Sequence, residues 1–300
     1  YYQTSEDIRV KVLGGFVAIN RTWSEDQWHL NRRWNALQFT YDPASGLVKS
    51  INRNTDEYTL ADSSGDIFRF DKRYTIVKTA PGYRWQDREG NWIDYDADGL
   101  MLRYGDKNDV TVSFIYDIAN NRISGIEDHF GTQVLWYEYD AGGLLSSVRD
   151  GADPVAATTR TVSYQFTGGK LATVTDVRGN PWQYPYDGTR LRSETDPEGR
   201  VRTIHYDATG RVILIEDPLG MLAEYKYGYD SNKKEFYFQQ KDSEGKVTEQ
   251  WFNSDFTLKR KTVNGNTVQS ILRDGDDRIE KDRNGLETRK DYDQWENLVR

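Results

Sequence analysis

The residues best suited to chemistry are few and scattered. The histidines are three, His29, His129 and His205, and there is no Cys. A zinc centre draws on His, Cys or carboxylate ligands at short, regular spacings. None of the three histidines has a second His or a carboxylate so placed, and each reads as an ordinary strand or turn residue. A hydrolase nucleophile would sit on a Gly-x-Ser-x-Gly elbow, which the sequence lacks. No P-loop, GxGxxG fingerprint or EF-hand loop is present either. The plentiful carboxylates could supply a glycosidase pair. The stronger reading is structural, because most of the Asp residues recur at fixed turn positions. No catalytic, cofactor-binding or metal-binding residue is therefore assigned. The chain is expected to be no enzyme and to need no cofactor.

Aromatic side chains are the other chemical resource, at 13% of the chain. Trp85, Trp92, Trp136, Trp182 and Trp251 lie in or beside strand-like runs. A carbohydrate platform is one use of such rings. Packing across strands is the preferred one, because paired rings stabilise sheets. A third use is an apolar lining that holds unfolded polypeptide.

Positioning falls to a short repeated phrase. Asp176-Val-Arg-Gly179, Asp196-Pro-Glu-Gly199 and Asp217-Pro-Leu-Gly220 are spaced roughly 20 residues apart, the mark of a tandem array. Asp suits the first turn position, Pro the second and Gly the fourth. The flanking runs are rich in Val, Ile, Thr, Tyr and Trp, which favour strands. Each unit is thus a β-hairpin, marginal alone and stable in a row.

The same pattern extends both ways. Gly14-Gly15 reads as a two-residue hairpin turn, with Phe16 to Trp23 returning. Trp28, Leu30 and Trp34 alternate, as do Leu37, Phe39 and Tyr41. Tyr41-Asp42 to Gly46 is an early, loose copy, and Asp62–Gly65, Asp87–Gly90 and Asp128–Gly131 are others. Residues 151–159 read as a longer surface loop. Asp242–Gly245 and Asp282–Gly285 keep the period, with Thr262-Val-Asn-Gly265 midway and Thr in the Asp slot. Tyr186-Asp187-Gly188 is a shortened turn, and Glu296 replaces Gly in the last unit. The fold class is all-β, without helical periodicity.

Composition excludes several functions. Lys plus Arg number 40 against 48 acidic residues, a net charge of −8, so nucleic acid is not expected as a partner. No run approaches the length of a membrane span. The chain opens Tyr1-Tyr2, without Met or a signal-like segment, and is expected to be a piece of something longer.

Tyr206-Asp207-Ala-Thr-Gly210-Arg211-Val212, running to Asp217-Pro-Leu-Gly220, resembles the YD or RHS repeat family. The resemblance covers roughly Tyr41 to Arg300 and is strongest from Gly168. Gly15-Phe16-Val-Ala-Ile-Asn-Arg21-Thr22-Trp23-Ser24 is similar to the start of the bacterial shell. Asp196-Pro-Glu-Gly and Asp217-Pro-Leu-Gly-Met221 resemble the family's self-cleaving element, but repeats continue beyond them and both read as turns. The resemblance implies tandem hairpins forming part of a spiralling hollow β-shell, or cocoon. Residues 1–40 would begin that shell. Residues 41–300 would be repeats, irregular to about 167 and regular over 168–300, ending mid-repeat. It also implies a non-catalytic wall around a C-terminal toxin, exported by a bacterium. Its partners would be the rest of the shell, the enclosed toxin and secretion-system or chaperone proteins. A cell-surface adhesion or carbohydrate-binding protein is the alternative, as in animal teneurins, although the absence of Cys leans against an animal ectodomain.

Overall fold

The computed structural model describes residues 3–62, 64–70, 73–151, 159–254, 256–274 and 277–290. The expected loop at 151–159 and the last unit with Glu296 lie largely or wholly outside them. No α-helix occurs among the described residues, and antiparallel strands follow one another almost without interruption. The chain forms two compact units, one ending at Gln183 and one beginning at Tyr184.

The first unit opens on a separate three-stranded sheet: β1 (Gln3–Val12), β2 (Gly15–Ser24) and β3 (Gln27–Leu30). The β1–β2 register closes at Val12↔Gly15, so the turn residues are Leu13-Gly14, one position earlier than the sequence suggests. Gly14 takes the positive φ. Trp34 does not continue the β3 alternation. It ends a 3-10 turn, Arg32–Trp34, entered through Asn31 in the left-handed region. Asn31 makes that exit possible, because its side-chain oxygen accepts the Asn20 N–H at 2.6 Å while its amide donates to the Ala18 carbonyl.

A bulge in β1 falls between Glu6 and Ile8 and leaves Asp7 as the extra residue. Bulges re-aim side chains. Here the Asp7 carboxylate is buried, with both oxygens on Arg21 Nε at 2.7 and 2.8 Å. It also accepts the Tyr164 hydroxyl at 2.8 Å, and Arg160 donates to the Arg9 carbonyl. These bonds fasten the small sheet to strands that lie about 150 residues along the chain. Burial pushes the Asp7 carboxyl up, against the pull of the Arg21 guanidinium.

The rest of the first unit is one ladder. Strands from Gln38–Tyr41 to Pro181–Gln183 each pair antiparallel with the next. The second unit repeats the design from Ser193–Thr195 to Glu287–Lys290. Inward residues alternate along the strands, as Ile51, Ile76, Ile126, Leu135, Val148, Val162 and Val174 do, all but absent from the surface.

The turns explain the sequence period. At Asp207 the backbone N–H donates to the Arg211 carbonyl, and Gly210 N–H returns to the Asp207 carbonyl. Between them Ala208 and Thr209 form the turn, and Gly210 supplies φ +88°. This is the three-residue hairpin loop that ends on a left-handed residue. One Asp207 oxygen accepts the Thr209 and Arg211 N–H groups at 2.9 and 3.0 Å. Two expected copies differ. Strand Leu258–Val263 runs through Thr262, and Asn264-Gly265 closes a two-residue turn instead. Thr262 spends its hydroxyl on Glu249 at 2.8 Å, so it is a cross-strand residue and holds no turn slot. Asp217 pairs directly with Gly220, leaving Pro218-Leu219 as a tight turn with Leu219 fully in solvent.

Two predictions follow from this geometry. Asp7→Asn leaves the buried Arg21 without its carboxylate. The expected loss in denaturant-monitored unfolding is about 3–5 kcal/mol, and a change under about 1 kcal/mol would refute the clamp. Asp42, Asp106 and Asp207 are held below the usual carboxylate range, chiefly by the Ser45 N–H, the Asn108 N–H and the Thr209 hydroxyl respectively. A depressed folded pKa stabilises the fold above the unfolded value of about 4, and that contribution is lost as pH falls through the folded value. Thermal midpoints should therefore drop on the acid side of about pH 4, and less steeply in Asp207→Asn. Identical acid profiles for the two proteins would contradict this.

Candidate functional site

Two cavities stand out, one in each unit. The first unit holds a cavity of about 430 Å³ where the Leu13-Gly14 turn faces the 3-10 turn and strands Tyr83–Asp87, Trp92–Tyr95 and Met101–Gly105. Trp34, Trp85, Trp92, Arg33 and Arg53 line it. Trp85 and Trp92, singled out in the sequence, thus meet here because their strands are neighbours, with Ile93 opposite Trp85. Gly105 is required beside them, since a Cβ there would lie 2.6 Å from the Trp92 ring.

Both indoles are already committed. Trp85 Nε1 donates to the Tyr58 hydroxyl at 2.8 Å, and Trp92 Nε1 donates to the Asp106 carbonyl at 3.1 Å. Arg53 lies over Trp85 at 4.4 Å, and Arg84 and Arg103 lie over Trp92 at 4.5 and 5.4 Å. Asp94 holds the latter two guanidiniums, at 2.6 and 3.0 Å. Trp136 carries Arg149 at 4.5 Å, and Trp251 carries Arg260 at 4.4 Å and Lys233 at 4.8 Å. Trp182 stands opposite Val174 in the ladder. A sugar stacks on an open aromatic face. Four of these five rings instead give a face to a cation of the chain itself, an arrangement of packing.

The histidines stay apart in their roles. His29 Nε2 is buried without a hydrogen-bond partner. His129 Nδ1 meets Thr111 at 3.4 Å, and its ring sits edge-on to Phe130. His205 Nε2 lies 2.8 Å from Glu216 Oε1, across the hairpin. Among the described residues no three His, Asp or Glu side chains converge as a metal site would need.

The second unit holds the larger cavity, about 600 Å³, lined by residues 187–192 and 203–207. It opens where the shortened Tyr186-Asp187-Gly188 turn interrupts the ladder. Its arginines, Arg190 and Arg192, carry no signal in the sequence. The broken period marks the place, but not which side chains fill it.

Residues 187–220 match the RHS repeat family model. The chain carries an RHS repeat. No curated protein matches it. The chain is similar to a solved TcdB2-TccC3-TEV structure, at 12% identity and a TM-score of 0.28, covering 95% of this chain and 17% of that one. It is similar to a TcdB2-TccC3 structure at 11% identity and a TM-score of 0.32, covering 94% and 22%. The chain therefore spans about a fifth of the length of those chains.

The matched RHS segment shows what its tyrosine does, which the sequence pattern alone did not. The Tyr206 hydroxyl donates to the Leu191 carbonyl at 2.8 Å. Tyr116, Tyr139 and Tyr227 do the same to Met101, Ile123 and Val212, at 2.8, 2.6 and 3.0 Å. Each acceptor lies 15 or 16 residues earlier. Burial pushes the Tyr116 hydroxyl up to about 12, so it remains a donor at any physiological pH. The recurring tyrosine of the RHS phrase is a stitch between hairpins. Because the faces of Trp85, Trp92, Trp136 and Trp251 are occupied, soluble oligosaccharides should leave the tryptophan emission of this protein unchanged. A saturable shift in the emission maximum on titration would show an open platform instead.

Proposed function

We propose that this chain is a wall segment of an RHS shell that encloses a C-terminal toxic polypeptide until delivery. The mechanism is steric and non-catalytic: a hydrogen-bonded wall keeps other molecules out and its content in. The observation that carries the reading is the single layer formed by the later strands of the second unit. Between Glu224 and Lys290, among the described residues, Glu235, Thr262 and Ile271 alone are buried. Strands such as Gly220–Asp230, Glu235–Asp242 and Val247–Phe252 are half-exposed on both faces. A sandwich or packed barrel buries one face of every strand. A wall one sheet thick, with solvent on one side and an enclosed chain on the other, does not. The RHS match and the hairpin ladder support the same reading. No helix of the described residues is long and apolar enough to cross a membrane.

On this proposal the partners are the remainder of the shell, the enclosed toxin domain and the secretion-system or chaperone proteins of a bacterium that exports it. Against the adhesion alternative, arginines cover the rings of Trp85, Trp92, Trp136 and Trp251, four of the five that could meet a glycan. The deciding experiment is on the native full-length protein purified from its source. Its mass and sequence are determined, and it is then digested before and after unfolding. A polypeptide that follows the repeats and resists protease until the shell is unfolded is the expected result. Repeats that end in a wall-binding module or membrane anchor, with no protected segment, would overturn the proposal.

A further inference from the structure

We infer that the break in the second unit's ladder is a binding site for a phosphate group. The break is structural. Tyr186–Asp187 and Arg190–Leu191 leave the ladder as a two-stranded hairpin of their own, closed by Gly188-Thr189. Strand Val201–Tyr206 pairs with Ser193–Thr195 through Thr203 and no further. Beyond it the backbone is tied on that side at Ile204, whose N–H donates to the Arg192 carbonyl at 2.9 Å. The missing ladder leaves the cavity of about 600 Å³. That size suits a small organic ligand better than a bare ion.

The charges in and around it are sorted. The RHS-matched segment contains five arginines. Arg200 pairs with Asp196 at 2.6 Å, Arg202 with Glu194 at 2.6 Å and Arg211 with Asp207 at 2.8 Å. Among the described residues neither Arg190 nor Arg192 has an ion pair, and both line the cavity. The pairing rule that neutralises every other arginine of the segment fails at these two. Arg190 is nonetheless held: its guanidinium lies over the Tyr206 ring at 5.7 Å and occupies the space that a Cβ on Gly210 would take. Asp207 also lines the cavity, but its oxygens are spent on Thr209 and Arg211. Asp187 is the one opposing carboxylate left, and it is exposed to solvent.

The donor types lining the cavity suit a tetrahedral oxyanion. A guanidinium presents planar, paired N–H donors that match phosphate oxygens. Thr189 and Thr203 add hydroxyls, and His205 is fixed at the cavity wall by Glu216. The ligand class that follows is a phosphate monoester, with the ester's organic part occupying the remaining volume.

The test is calorimetric titration of the full chain with inorganic phosphate, O-phosphoserine and citrate. Saturable binding of a phosphate probe is expected, weakening as salt rises. Arg192→Gln, at a side chain with no internal partner, should weaken it by about tenfold without moving the thermal midpoint. Arg190→Gln should weaken it at least as much. Arg200→Gln, outside the cavity, should leave it unchanged. Absence of saturable phosphate binding, equal binding by Arg192→Gln, or binding of citrate alone would each overturn the assignment.

Discussion

One carboxylate oxygen accepting two backbone N–H groups is the interaction on which this chain depends. At Asp96, Asp128, Asp176, Asp196, Asp207, Asp242 and Asp282, a single oxygen takes the N–H groups of the second and fourth following residues, at 2.8–3.1 Å. A hairpin loop has too few neighbours to satisfy its own N–H groups, and each bare one is costly where water is excluded. The aspartate satisfies two at once and fixes the loop length, which in turn fixes the strand register. Where Gly is absent from the last loop position the carboxylate or amide still holds the turn. Asp109 takes φ 57° beside Asp106, and Phe256 takes φ 62° beside Asn253. An aromatic residue in that region is strained. Phe256 offsets it by stacking on Phe236 at 4.6 Å.

Register alone would leave neighbouring hairpins free to slide, and the tyrosines prevent it. The ladder shifts register immediately before Tyr41, Tyr95, Tyr116, Tyr139 and Tyr206. The extra residue lies on the returning strand beside the tyrosine, as Ser124, Ser146 and Ile213 do beside Tyr116, Tyr139 and Tyr206, and it bends the pair there. The tyrosine ring lies back across the previous hairpin, where in Tyr116, Tyr139 and Tyr206 the hydroxyl meets a main-chain carbonyl. An arginine of the earlier hairpin then covers it, as Arg122 covers Tyr139 at 4.1 Å and Arg211 covers Tyr227 at 4.9 Å. At Tyr116, Tyr139 and Tyr206 the register shift and the stitch occur together, whereas Tyr227 makes the same stitch in an unshifted ladder.

This order of dependence decides what could be read from the sequence. The turn is local, so Asp-x-x-Gly and its period were legible, and with them the all-β ladder. The stitch was not, because a backbone carbonyl has no residue type and its donor lies a whole hairpin away. Thr262 misled for the same reason in reverse. Its spacing matched a turn slot, but Asn264-Gly265 satisfies a two-residue turn without help, and the shorter loop wins. Trp34 fitted an alternating strand until Asn31 bent the backbone. At the N-terminus, the separate sheet and its Asp7–Arg21–Tyr164 clamp depend on a bulge and on partners remote in sequence. The tryptophans were visible as a set, but their arginine covers come from adjacent strands whose register the sequence does not state.

A repeat of this kind spends its polar groups on itself. The turn Asp residues serve N–H groups, Tyr116, Tyr139, Tyr206 and Tyr227 serve carbonyls, and many arginines serve carboxylates or ring faces. Many charges and aromatics are therefore present without forming a site, which is why composition says so little about activity here. The corollary is that spare chemistry collects where the repeat fails to close. In the first unit the irregular N-terminal sheet meets the ladder, but there Arg53 lies on the Trp85 indole and Arg84 and Arg103 lie on that of Trp92. In the second unit the hairpin Tyr186–Leu191 is too short to continue the ladder, and Arg190 and Arg192 come free of the pairing that holds Arg200, Arg202 and Arg211. In the RHS-matched segment, recognition of a ligand would fall to this irregular hairpin, because the other arginines of the segment are already paired.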